Sequence, residues 1–142
     1  MVTFDFGPAE VFVIRYRGRL PDARVLGALA DLIAADAVRL LDILVVSRDG
    51  GGAVEVIEID DLPAGSPFDT FELEARGITG NEDVERIADD LAPGTSAAIA
   101  VIEQLWAKSL AERFAESGAE LLETVRIPAP ELNAIAVAAN IG

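Results

Sequence analysis

The chain has 142 residues, 51% of them hydrophobic, and sets 25 Asp and Glu against 11 Lys and Arg for a formal net charge of −14, with a pI near 4.2. That length suits one domain with a real core, and the acidic balance argues against nucleic acid or an anionic membrane as partner, since both need clustered cations. There is no Cys and no His, which excludes disulfides, thiolate nucleophiles, imidazole bases and Cys/His zinc sites and leaves carboxylates, hydroxyls and arginine.

At the N-terminus, Asp5 and the lack of a basic leader before an apolar stretch give no secretory signal. The longest uncharged runs, 91–102 and 132–142, fall short of the roughly 20 residues of a membrane-spanning helix, so a cytoplasmic protein with no membrane partner is expected. Glu10 to Arg17, β-branched and aromatic, reads as the first strand. Pro21-Asp22 opens a helix whose Val25, Leu26, Leu29, Leu32 and Ile33 share one face. Arg39 to Arg48 is nearly continuous in apolar residues, as for a strand covered on both faces, and Asp49-Gly50-Gly51-Gly52 turns it into a hairpin with 53–60. No helix or Lys follows those glycines, so they read as a turn rather than a phosphate loop.

The pattern weakens over 61–79, where a flap or short helix beginning at Ser66-Pro67 is expected. Thr79 with Glu82 forms a capping box for a helix carrying Val84, Ile87, Ala88 and Leu91 on one face, closed by Pro93-Gly94. Ser96 to Glu103 reads as a fourth strand. A helix through Trp106, Ala107, Leu110, Ala111 and Phe114 follows and ends at Gly118. Glu120 to Ile127 reads as a fifth strand and Pro128 to Ala139 as a last helix. Alternating elements of this kind build a sheet layered with helices. The expectation is a single α/β domain over 1–142, an α/β sandwich with a ferredoxin-like βαββαβ core, an αβα C-terminal extension and a mixed sheet.

Right-handed crossovers bring the starts of strands one and two and the ends of strands four and five to one edge. Glu10, Asp42 and Glu103 should meet there, with Arg39 and Arg126 beside them. Asp42 interrupts an apolar strand, so its carboxylate must be paired, solvated or neutralised. Two readings stand: an ion-pair network fixing strand ends, or an acid/base pair or divalent-ion site built on oxygen ligands. Trp106 either packs between helix and sheet or walls a pocket or subunit contact. Thr95 and Ser96 lack an activating base, so no catalytic residue is assigned. No metal and no cofactor is assigned either.

Gly7-Pro8-Ala9-Glu10, Arg39-Leu-Leu-Asp42-Ile-Leu-Val-Val, Leu91-Ala-Pro-Gly94-Thr-Ser96-Ala-Ala and Glu103-Gln-Leu-Trp106-Ala107 together resemble the actinobacterial domain of unknown function 6325 family, through to Ile127-Pro128. More distantly the chain is similar to the domain of unknown function 1269 family, whose Gly-rich apolar insertion is replaced here by the polar segment 63–79, so that family's membrane label does not transfer. The resemblance implies α/β architecture and a bacterial cytoplasmic setting, and supplies no catalytic residue; Glu10, Asp42, Glu103 and Trp106 match its recurring pattern.

Two functions follow as expectations. The first is a non-enzymatic interaction or structural homo-oligomer, stress-related or regulatory, suggested by the poor catalytic inventory and by Ala-rich segments such as 96–100 and 134–139. The second is a small-ligand or divalent-metal module, with Glu10, Asp42, Glu103, Arg39, Arg126 and Trp106 as binding residues and Phe68 and Phe71 lining a pocket under the flap. The acidic surface does not show phosphate-like spacing that would mimic nucleic acid.

Overall fold

A computed structural model describes residues 3–61 and 71–139. Among them the order is β1 (Ala9–Arg17), α1 (Ala23–Ala34), β2 (Val38–Arg48), β3 (Val54–Glu58), α2 (Asn81–Asp89), β4 (Thr95–Gln104), α3 (Leu105–Ser117) and α4 (Ala129–Ala138), with one 3₁₀ turn at Ile59–Asp61. The helix expected at Ser66-Pro67 and the pocket role of Phe68 lie outside the described residues.

The architecture is α+β, a four-stranded sheet in the order β1-β4-β2-β3. Every pairing in it is antiparallel, which corrects the expected mixed sheet. The ferredoxin-like order is not the one observed, because β2 and β4 take the two central places. The helices also divide between the faces. Leu26, Leu29 and Ile33 of α1 pack with Leu40, Ile43, Val45, Ala98 and Ala100, whereas Ile87 and Ala88 of α2, followed by Leu91, pack with Val46, Ala97 and Ile99. A strand alternates its side chains between faces, so β2 and β4 must be apolar on both, and their near-continuous hydrophobic runs follow from this placement.

Local chemistry explains most boundaries. Asp22 caps α1 by accepting the Arg24 backbone N–H. The Asp49 carboxylate accepts the N–H groups of Gly51 and Ala53, closing the β2–β3 turn. Gly118 ends α3 in the left-handed conformation with φ 78°. Two expectations are corrected. The N-cap of α2 is Gly80, not Thr79, and makes no side-chain cap bond; the Thr79 N–H is instead committed to Asp42, so the capping box does not form. The fifth strand expected over 120–127 is also absent: residues 119–128 are neither helix nor strand and are exposed throughout. Leu121, Leu122, Val125 and Ile127 have strand-like character but pair with no strand, and pairing rather than propensity decides a strand.

Candidate functional site

The antiparallel register sets the end of β4 against the starts of both its neighbours. Glu103 lies opposite Ala9 of β1 and Arg39 of β2. Its side chain is 0% exposed, and a buried charge survives only when paired and hydrogen-bonded. Both oxygens are used: Arg39 Nε donates to Oε1 at 2.5 Å, and the Gly7 N–H donates to Oε2 at 2.5 Å. Glu103 thereby ties β2 to the segment before β1. That segment is held at further points, with Gln104 N–H donating to the Pro8 carbonyl at 2.7 Å, Arg39 Nη2 to the Asp5 carbonyl and the Phe4 N–H to Glu112. The Arg39 guanidinium also lies 5.2 Å from the centroid of the Phe6 ring. The hydrogen bond it donates to Glu103 holds the Arg39 guanidinium above its ordinary pKa.

One residue along β1, Glu10 forms a second pair. Arg126 Nε donates to Glu10 Oε2 at 2.5 Å, and the Gln104 side-chain amide donates to Oε1. The Arg126 guanidinium sits 4.8 Å from the centroid of the Phe12 ring. This bond to Arg126 holds the Glu10 carboxyl below the usual range against a smaller opposing effect of burial. Both members are partly exposed, Glu10 at 32% and Arg126 at 58%.

Glu10, Glu103 and Arg39 therefore share one end of the sheet, as the strand directions require, and Arg126 joins them from the strandless segment 119–128 through its bond to Glu10. Asp42 does not join them. A bulge between Leu40 and Asp42 puts an extra residue in β2, and Asp42 pairs with Val101 rather than with the strand end. Without the extra residue, alternation would turn Asp42 into the α1 core. With it, the 3% exposed carboxylate faces the α2 side, where Oδ2 accepts the N–H groups of Gly77 at 3.2 Å and Thr79 at 3.1 Å. Asp42 thus holds the turn that leads into α2. It borders a hollow of about 460 Å³ together with Leu44, Val56, Leu73, Arg76 and Thr79; Glu10 and Glu103 do not line it, and Phe71 is buried in the α1-side core instead. Trp106 is 68% exposed, so packing between helix and sheet is corrected.

Sequence reasoning missed four participants, Phe6, Gly7, Phe12 and Gln104. Gly7 carried a usable signal: a Cβ there would lie 2.8 Å from Lys108 Cβ, so Gly7-Pro8 marks a close approach to α3 as well as the entry to β1. The described residues contain no group of three or more His, Cys, Asp or Glu placed to hold a metal ion. No described helix is long and apolar enough to cross a membrane.

Neither a curated protein nor a solved structure matches the chain. The profile of a family of unknown function matches residues 5–140, a span that includes β1 to α4 and the whole Glu103 and Glu10 network. The chain belongs to that family, DUF6325.

Proposed function

We propose that the chain is a non-enzymatic interaction protein that assembles with copies of itself in the bacterial cytoplasm. The observation that carries this reading is α4. Its sequence, APELNAIAVA, is apolar around most of its circumference, yet no residue in it is buried. Leu132, Ile135 and Val137 are exposed, Val137 at 80%. A helix that is hydrophobic all round belongs in an interior, and contiguous apolar surface of this kind marks an association site. Leu121, Leu122, Val125 and Ile127 extend it toward Gly118, and Trp106, Leu110 and Phe114 add further exposed apolar surface on α3.

The carboxylates support the same choice over a ligand or metal module. Glu103 spends both oxygens on protein donors, Glu10 is engaged by Arg126 and Gln104, and Asp42 caps a turn. The first two belong to a network that fixes strand ends, and Asp42 holds a separate turn. Sedimentation velocity at micromolar concentration tests the reading: a mass above 15.0 kDa that falls on dilution, and that falls further in a Leu132→Glu/Ile135→Glu variant, is expected. A monomeric mass across the concentration range would overturn it.

A further inference from the structure

The two edges of the sheet are unlike. β3 spans only Val54–Glu58, with Glu55 engaged by Arg19 at 2.9 Å, and short, charged edges resist pairing. β1 is longer, and its charges, Glu10, Arg15 and Arg17, lie toward its two ends. It runs nine residues without Pro, Lys or a register shift, and among the described residues no backbone hydrogen bond outside the β1–β4 pairing involves residues 9–17. It is apolar to both sides of this open edge. Val11 is 65% exposed and Val13 50% on the α2 side, and Ile14 is 48% exposed on the α1 side.

Charge narrows the choice of partner. At a net charge of −14, two copies repel over most of their surfaces. β1 is an exception, since it carries Arg15 and Arg17 at one end and a single acid, Glu10, at the other. No ion pair among the described residues engages either arginine. Antiparallel pairing with an identical strand sets the arginine end of each against the Ala9-Glu10 end of the other. Such a contact is self-complementary and closes after two copies.

We propose that β1 is the pairing strand of a two-fold dimer, its open edge adding antiparallel to β1 of a second copy, centred on Val13, to make one eight-stranded sheet. This deepens the homo-oligomer reading and rests on it. Centring on Val13 overlaps all nine residues and keeps α2 of both copies on the same side. Val13 then meets Val13, and Phe12 meets Ile14 of the second copy. Arg15 of the second copy falls opposite Val11, over a hollow of about 330 Å³ lined by Val11, Val13, Asp83, Arg86 and Ile87, where Arg86 already lies 3.5 Å from Asp83. Its stem covers exposed valine while its charge comes over Asp83, in the acidic first turn of α2, as a second cation beside Arg86.

The absence of Cys allows a direct test by nitroxide labels on the single variants Ala9→Cys, Val13→Cys and Arg17→Cys of the full chain, with oligomeric mass measured in parallel. Labels at Val13 should show strong dipolar broadening. Those at Ala9 and at Arg17 should each lie about 27 Å from their counterparts, eight residues at about 3.4 Å each. A Val13→Lys variant should lose the dimer with unchanged circular dichroism. An oligomer whose labels show no close approach at Val13, or unequal distances at Ala9 and Arg17, would overturn the β1 pairing and leave self-assembly standing. A monomeric wild-type chain would overturn both.

Discussion

Replacing Glu103 by Gln should be among the most damaging single-atom-scale changes in the molecule. The substitution keeps the shape of the side chain but turns one of its two acceptors into a donor that faces either the Gly7 N–H or the Arg39 guanidinium. Removing one partner of a buried ion pair costs roughly 3–5 kcal/mol. Arg39 keeps 33% of its side chain exposed, so water recovers part of that, and a loss of about 2–3 kcal/mol is expected. For a domain of this size that is a fall in Tm of about 6–12 °C. Urea unfolding should be followed by far-UV circular dichroism, because Trp106 lies largely in solvent in the folded chain and reports poorly. Asp42→Asn serves as the comparison. It acts on the Gly77–Thr79 turn and shares no partner with Glu103, so the two losses should add within about 0.5 kcal/mol. A Glu103→Gln loss below about 1 kcal/mol, or a coupling to Asp42 above that size, would refute the assignment of these carboxylates to separate structural tasks.

Three other expectations follow from the same geometry. Glu10 has a depressed pKa, so its contribution is present above the unfolded value of about 4.3 and is lost as pH falls through the folded value; the stability gap between wild type and Glu10→Gln should be constant at neutral pH and close in acid. Tyr16, the sole tyrosine, is pushed up to about 12 by burial. Its neutral form therefore stabilises the fold below pH 10, and that contribution is lost as pH rises toward 12, which absorbance at 295 nm should show as a late phenolate transition tracking unfolding. Gly7→Ala should cost about 1–3 kcal/mol in a denaturant titration, since its Cβ would press on Lys108 Cβ and displace the N–H that Glu103 accepts.

Strand direction alone brings Glu10, Arg39 and Glu103 to one place, because antiparallel order and register are set by which segments are hydrophobic and how they connect; Arg126 arrives from a segment that forms no strand, held there by its ion pair with Glu10. Asp42 shows where such reading stops. One extra residue at Leu41 changes which face and which neighbour a side chain meets, and a bulge leaves no mark in an apolar run like Arg39 to Val46. The division of α1 and α2 between opposite faces was likewise invisible, since each helix displays the same apolar stripe whichever side of the sheet it covers. Glu120 to Ile127 has strand-like residues without a strand, since β-propensity expresses packing against cross-strand neighbours and this segment has none. Thr79 fits a capping box by spacing, but a carboxylate 37 residues away takes its N–H first.

The bond from Gly7 to Glu103 also alters how the beginning of the chain should behave in time. Segments outside helix and strand, such as 3–8, ordinarily open readily, with opening free energies close to zero. Here, opening the segment that carries Phe6 and Gly7 strips a fully buried carboxylate of one of its two donors, which couples local opening to the integrity of β4 and β2. The Gly7 amide should exchange with deuterium on the timescale of the central strands, and Glu103→Gln should accelerate it far more than it accelerates amides in the middle of β4. The first turn of chain before the sheet is thus part of its slowest-opening cooperative unit.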